Sequence, residues 1–394
     1  MDNIEQNTKH ILLGILCYLS DQSKPNTPIV QQDIIDFFNT EFGWDVGYKR
    51  ISADLNIIST FHKYINEKLG LNIEGRLIQT TKDSVHKNYE YKRSLSYEQI
   101  SALSTLLHSS LSFDKETSEA ITHGFESLSD YDFAVDIDKD IRSKMLNKEI
   151  MRNIGIINQA IKDNKKIRYY NGGINRYQQL HYSKAVNEEY VLDTVYKSTD
   201  KNEIIAENFK YDYNPDTAFR FMPVTVSPYS IVWDNSRCYM ICRPDGNEFT
   251  LRCVRVDRMF ETEIIEEKKR ELPPITSRFY SKTAPNHFNT QKFMRSVFSM
   301  FPCPEKDITE AVFRVSRKCV RTMTERFGFD ISQKSLDEND EYFEYKILVQ
   351  PSKAFFGWLF SFDTQDIKLT APQILVDKYM DFLRDRLRGY DNKI

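Results

Sequence analysis

Arginine and tyrosine residues suited to holding a phosphorylated ligand are concentrated in one strand-like part of the sequence. They are Arg168, Tyr229, Arg237, Tyr239, Arg252, Arg255 and Arg258. A guanidinium group offers a planar pair of donors that matches two phosphate oxygens, and a tyrosine ring can stack on a base. These residue types predict a site for a nucleotide or a short single-stranded nucleic acid. The alternative is an exposed sheet whose arginines pair with Asp234 and Asp257.

Strand periodicity limits which of these side chains can share a pocket. Alternate residues of a strand point to opposite faces, so Arg252 and Arg258 share a face and Arg255 does not. We therefore expect Arg252 and Arg258 to line the pocket, with Arg255 structural or at a neighbouring interface. Tyr239 fits a core position as well as a ligand contact.

A second group of candidate residues begins a predicted helix. It contains Tyr48, Lys49, Arg50 and Ser52. In helix-turn-helix proteins the N-terminal end of the recognition helix enters the major groove, where lysine, arginine and serine contact phosphates or base edges. The group predicts contact with double-stranded DNA, and a solvated helix face is the alternative. Lys87 lies in a predicted wing, where contact with phosphate and a solvated loop are equally compatible with its position.

The elements around this second group form a recognisable order. Apolar spacing predicts helices at about 9–20, 29–38 and 47–68, and strand-like residues at 71–74 and 89–91 predict a hairpin. Three helices followed by a hairpin are typical of a winged helix-turn-helix.

The remainder of the chain alternates in character. Residues 95–150 have the apolar spacing of a helical connector, and residues 165–266 have short strands with frequent turns, typical of a small barrel or sandwich. The last part predicts a compact α+β module. Its expected elements are strand 311–315, helix 319–327, strands 342–349 and 355–360, and helix 372–387.

Composition narrows the class of protein. The net charge is -3 and the pI is about 6.2, so any nucleic-acid site must be a local basic patch. The six cysteines contain no Cys-x-x-Cys pair, so we expect reduced thiols in the cytoplasm and neither a metal site nor a cofactor. No signal peptide and no long apolar run are present, so we expect no membrane association.

Catalytic motifs are also missing from the sequence. It has no Gly-x-x-x-x-Gly-Lys loop, no His-Glu-x-x-His and no Gly-x-Ser-x-Gly elbow. We therefore expect a binding protein and not an enzyme.

Three segments resemble parts of WYL-domain proteins. Residues 228–242 look like the central family motif, with Cys238-Tyr239-Met240 in the place of Trp-Tyr-Leu, and the arginine-rich strand follows at 251–259. Residues 48–55 are similar to the recognition helix of the winged helices fused to these domains. Residues 355–372 are similar to the C-terminal extension that follows many of them.

This resemblance implies a bacterial, homodimeric transcription regulator with an α+β fold. It implies a winged helix-turn-helix at 1–94, a helical connector at 95–153, an Sm/SH3-like barrel that senses a nucleotide or single-stranded oligonucleotide at 154–270, and a dimerisation extension at 271–394. Such regulators control phage-defence or DNA-damage genes. Two alternatives stay open: an accessory single-stranded nucleic-acid-binding protein that modulates a phage-defence or CRISPR effector, and a protein-interaction scaffold.

Overall fold

The computed structural model describes most of the chain. The described residues are 7–22, 29–68, 76–79, 88–92, 97–110, 113, 115–126, 147, 149–186, 190–198, 204–212, 222–246, 250–284 and 286–391. Internal contacts divide the chain into two units, Met1–Ser143 and Lys144–Ile394. The division falls inside the predicted connector, and the predicted four-domain boundaries stay a prediction.

In the described residues the first unit contains five helices and a small sheet. Its elements are α1 (Thr8–Gln22), β1 (Ile29–Val30), α2 (Gln31–Phe42), α3 (Tyr48–Lys68), β2 (Arg76–Gln79), β3 (Asn88–Lys92), α4 (Tyr97–Ser109) and α5 (Lys115–Glu126). The antiparallel sheet has the order β1-β3-β2. The helices follow the predicted order, whereas the first hairpin strand is β2 and the predicted strand 71–74 lies outside the described residues.

Helix α2 is capped at both ends, and its C-terminal cap forms the turn toward α3. The Asp33 carboxylate accepts a hydrogen bond of 2.9 Å from the Val30 amide, which caps the start of α2. Gly43 ends the helix with φ 67°, a left-handed conformation that glycine adopts without cost. The apolar faces of α1, α2 and α3 then close one core. Its fully buried members include Ile15, Leu19, Ile34, Phe38, Ile51 and Leu55.

The second unit begins with one helix on a five-stranded antiparallel sheet. The elements are α6 (Ile150–Lys162), β4 (Lys165–Asn171), β9 (Val224–Asp234), β10 (Arg237–Pro244), β11 (Arg252–Arg255) and β12 (Met259–Lys269), with a 3-10 turn at Val256–Arg258. The strand order is β11-β10-β9-β4-β12. In the described residues β11 and β12 are unpaired edges, so the sheet is open and does not close into a barrel. The α+β class is consistent with the structure, and the predicted Sm/SH3-like barrel stays a prediction. The 3-10 turn connects β11 to β12, which lie at opposite ends of this strand order.

A second sheet is inserted between β4 and β9. It consists of β5 (Gly173–Ile174), β6 (Leu180–Ala185), β7 (Tyr190–Ser198) and β8 (Ile204–Asp212), in that order. Stacked aromatic rings join it to the first sheet, because the Tyr182 and Tyr196 rings lie 4.5 Å and 5.4 Å from the ring of Phe260 in β12. The sequence predicted strands here but not a separate sheet.

The C-terminal module of the second unit contains a four-stranded sheet with the order β14-β15-β13-β16. Its elements are α7 (Thr290–Ser296), β13 (Thr309–Ser316), α8 (Val320–Phe327), β14 (Ser332–Ser335), β15 (Tyr342–Val349), α9 (Lys353–Phe360), β16 (Ile367–Ala371) and α10 (Gln373–Asp391).

The predicted strand at 355–360 is wrong, because these residues form helix α9. Ser352 caps the helix by accepting a hydrogen bond of 3.2 Å from the Phe355 amide. Phe355, Phe356 and Leu359 are then buried on one helical face. The run is apolar at nearly every position, so its sequence carries no period that separates a helix from a strand.

Candidate ligand-binding cavity and helix surface

An open cavity of about 670 Å³ lies beside edge strand β11 in the second unit. Its walls come from β4, β9, β10, β11, the 3-10 turn and a loop that includes Ser299–Pro302. We call it the arginine cavity because Arg252, Arg255 and Arg258 all line it. Its volume lies within the range of about 300–1,000 Å³ that is usual for small-ligand sites.

The exclusion of Arg255 from the pocket is therefore wrong. Alternation still places Arg252 and Arg255 on opposite faces of β11, but the strand ends at Arg255. The 3-10 turn that follows changes the direction of the next side chains, so parity does not relate Arg252 to Arg258. Since β11 is an edge strand, a cavity beside it can be lined from more than one direction.

A buried carboxylate fixes the orientation of Arg255. The Nε and Nη2 groups of Arg255 donate hydrogen bonds of 3.0 Å and 2.6 Å to the two oxygens of Asp257, whose side chain is fully buried. Such a two-point contact holds a guanidinium in one plane. Arg237 Nη1 lies 3.7 Å from the same carboxylate. One negative group thus faces two arginines.

Arg258 differs because its charge has no acidic partner in hydrogen-bond contact within the described residues. Its Nε is buried and makes no hydrogen bond there. Burial lowers the pKa of Arg258, and the positive charges of Arg255 and Arg237 lower it further against the opposing effect of Asp257. A guanidinium with an unmet donor among like charges is poised to bind an anion.

Two buried asparagines hold the 3-10 turn that carries Arg258. Asn147 Nδ2 donates to the carbonyls of Asp257 and Met259, both at 3.1 Å. Asn153 Nδ2 donates to the carbonyl of Met259 at 2.8 Å and to that of Val256 at 3.4 Å. Neither asparagine was predicted from the sequence. The available signal was Asn153, a polar residue on the apolar stripe between Ile150 and Ile157 of α6.

The tyrosines separate into cavity and core positions. Tyr239 is partly buried, lines the cavity and lies opposite Arg255 in the β10–β11 register. Burial raises the pKa of Tyr239, which favours the neutral phenol. Tyr169 also lines the cavity and was not predicted. Tyr229 is fully buried and donates its hydroxyl to the Glu271 carbonyl at 2.8 Å, so its ring cannot stack on a ligand and we remove it from the site.

Two predicted arginines lie away from the cavity wall. Arg168 is exposed, and its Nε donates to Glu263 of β12, whereas its neighbour Tyr169 points to the cavity. Arg237 contacts Asp257 but does not line the cavity. The structure therefore brings together Arg252, Arg255, Arg258 and Tyr239 from the predicted set.

On α3 the predicted DNA-contacting residues are mostly engaged within the unit. Arg50 Nε donates to the buried Asp54 carboxylate at 2.7 Å. Ser52 Oγ accepts a hydrogen bond of 2.9 Å from Gln31, and the Tyr48 hydroxyl donates to Gln32. Lys49 is exposed and makes no ion pair within the described residues. Lys87 lies outside the described residues.

The cysteines and the possible metal ligands are the other groups that could carry chemistry. All six cysteines are free thiols, and burial raises the pKa of Cys242 to about 12. In the part of the chain that the structure describes, no cluster of three His, Cys, Asp or Glu side chains is placed to hold a metal ion. Among the described helices, none combines the length and apolar character that crossing a membrane requires.

Comparisons with known proteins give several distant structural matches. No protein-family model matches the chain, and no curated protein matches it. The proteasome accessory factor B/C (PafBC) of Arthrobacter aurescens aligns over 93% of this chain, with 10% identity and a TM-score of 0.24. This chain covers 45% of that protein's length. A CRISPR Cas-related protein aligns over 100% of this chain and 89% of its own, with 12% identity and a TM-score of 0.30. At such TM-scores neither match supports a conclusion about fold or function.

Proposed function

We propose that the chain is a DNA-binding transcription regulator of the WYL type whose arginine cavity binds a nucleotide or a short single-stranded nucleic acid. The proposal makes it a binding protein and not an enzyme. The observation that carries it is Arg258, a part-buried guanidinium with an unmet Nε–H in a cavity lined by two further arginines. A phosphate group supplies both the charge and the acceptor oxygens that this group lacks.

The DNA-binding part of the proposal rests on α3. Its N-terminal turn presents the exposed Lys49, and the preceding α2 and glycine turn give the order of a helix-turn-helix. A homodimer would place two such helices on two half-sites, with spacing set by the dimer. Ligand binding would change DNA affinity only if the ligand prefers one arrangement of the dimer.

The first experiment measures binding of the full chain to the duplex upstream of its own gene and to a scrambled duplex, by fluorescence anisotropy at near-physiological salt. A regulator should prefer its operator by roughly a thousandfold or more. Lys49→Ala should weaken binding to both duplexes and reduce the slope of log affinity against log salt by about one. Equal affinity for both duplexes would remove this duplex as the operator.

A second candidate is an accessory single-stranded nucleic-acid-binding protein that modulates a phage-defence or CRISPR effector. One observation favours it: Tyr48, Arg50 and Ser52 are engaged within their own unit, whereas the cavity holds an unpaired arginine. This candidate predicts that single strands bind more tightly than any duplex, with little sequence preference and a strong salt dependence. A duplex preference in the same assay would exclude it.

A further inference from the structure

One aromatic side chain at the arginine cavity is held in solvent. Phe301 lines the cavity and is 64% exposed, whereas its neighbour Met300 is 4% exposed. Burial of a phenylalanine side chain is stabilising, so an exposed ring beside a cavity forgoes this stabilisation. Because the ring lines the same cavity as the arginines, it lies where it can contact a ligand that the arginines bind.

The backbone before Phe301 adopts an unfavourable conformation. Ser299 and Met300 have φ values of 49° and 59°, in the left-handed region that residues other than glycine rarely adopt. Two such residues in succession cost energy, and strain of this kind is concentrated at ligand-binding segments. The result of the turn is that Met300 enters the core and Phe301 reaches the cavity rim.

A single buried glutamine closes this loop at both ends. The Gln350 side chain is fully buried; its Oε1 accepts from the Cys303 amide at 3.1 Å and its Nε2 donates to Ser296 Oγ at 3.0 Å. The backbone amide of Gln350 also donates a hydrogen bond of 2.9 Å to the backbone carbonyl of Ser296. Anchoring of both ends reduces the freedom of the loop, so a ligand would lose little entropy in ordering it.

We infer that Phe301 is a stacking residue for a nucleobase, which makes the arginine cavity selective for base-bearing phosphates over phosphates without a base. The inference rests on the proposed function and deepens it by assigning the residue that contacts the base and the selectivity that follows. Arginines beside an exposed aromatic ring combine attraction for the phosphate with a flat surface for the base, the combination that binds single-stranded nucleic acids. Phe301 was not predicted from the sequence, because its loop is remote in sequence from the arginine strand.

The test uses the full chain and two fluorescent probes of equal charge and length. One is a 5′-phosphorylated oligothymidylate and the other is the same sugar-phosphate chain without bases. We expect Phe301→Ala to weaken binding of the base-bearing probe about 5- to 150-fold and to leave the abasic probe unchanged. Phe301→Trp should retain binding. Phe329→Ala is the matched control, since Phe329 is 95% exposed and does not line the arginine cavity.

Each of the remaining outcomes contradicts either the stacking role of Phe301 or the proposed ligand. If the wild-type chain binds both probes equally, or if Phe301→Ala weakens both to the same degree, the stacking role is wrong and the phosphate site stands. If Phe329→Ala has the same effect as Phe301→Ala, the loss is not specific to the cavity and the inference fails. If the wild-type chain binds neither probe, the cavity is not a nucleotide site and the proposed ligand falls as well. Thermal unfolding of each variant verifies that the second unit is folded.

Discussion

Two clusters of positive side chains in the second unit differ in how their charges are balanced. One, the paired network, consists of Lys166, Arg243, Asp245 and Glu271. Lys166 Nζ lies 2.7 Å from both carboxylates, and Arg243 Nη1 lies 2.6 Å from Glu271. The arginine cavity is lined by Arg252, Arg255 and Arg258, and within the described residues only Arg255 of the three makes hydrogen bonds to a carboxylate, that of Asp257.

The difference separates structural cations from candidate binding cations. A part-buried cation held between carboxylates adds little attraction for a ligand, and its removal leaves those carboxylates with one positive partner fewer. An unpaired cation beside like charges adds little to stability, yet it raises the affinity of the cavity for an anion. Arginine content alone does not distinguish the two clusters.

The largest effect should come from breaking the paired network. Lys166→Ala leaves two carboxylates near one another, and we expect a loss of about 2–3 kcal/mol in the free energy of unfolding because the partners keep partial access to water. Ligand affinity should not change. Urea unfolding measures the free energy of unfolding, and the fluorescence anisotropy of a labelled oligonucleotide measures ligand affinity. Lys165→Ala, which removes a contact to the exposed Glu266, should cost less than about 1 kcal/mol. Equal losses in the two variants would contradict the assignment.

Removal of Arg258 should lower ligand affinity and leave stability unchanged or higher, the reverse of the Lys166 variant. Arg258→Ala removes a charged donor from the cavity, and we expect a loss of about 10- to 100-fold in affinity for a 5′-phosphorylated oligonucleotide. The melting temperature should stay the same or rise, because repulsion from Arg255 and Arg237 is relieved. Arg168→Ala is the control, since Arg168 pairs with Glu263 outside the cavity. A similar loss of affinity in both variants would place the ligand elsewhere.

The asparagines that support the 3-10 turn should affect both the stability of the protein and its affinity for the ligand. Asn153→Ala leaves the Met259 carbonyl with one donor, from Asn147, and we expect a loss of about 1–2 kcal/mol in stability. Ligand affinity should also fall, because the turn carries Arg258. In a double-mutant cycle the effect of Asn153→Ala on affinity should be small once Arg258 is alanine. Full additivity would show that Asn153 acts on stability alone.

The smallest effect is a pH dependence of the paired network. The hydrogen bond from Lys166 is the main cause that holds the pKa of Glu271 below its ordinary value of 4.5. Stability from this group is therefore present above the unfolded pKa and is lost as pH falls through the lower folded pKa. Glu271→Gln should flatten the decline in stability below about pH 4.5, as followed by urea unfolding across pH. An unchanged decline would assign the acid sensitivity to other carboxylates.

Secondary structure was predicted well where the apolar period was regular. Helix α3 was expected at 47–68 and is found at Tyr48–Lys68, and the strand at 342–349 matches β15. Helix α9 was missed because a run that is apolar throughout has no period. The sequence does not predict the inserted sheet as a separate sheet, because pairing partners are set by contacts between residues that are distant in sequence.

For the candidate site, the sequence by itself determined the chemistry available: arginines and tyrosines that can hold a phosphate and a base. Only the tertiary structure decided their roles. It buried Tyr229, gave Arg168 a partner in Glu263, and joined Arg255 to Arg252 and Arg258. It also brought Phe301 to the same wall. The physical reason is that side-chain type is a local property, whereas burial and charge pairing depend on which distant segments the fold places in contact.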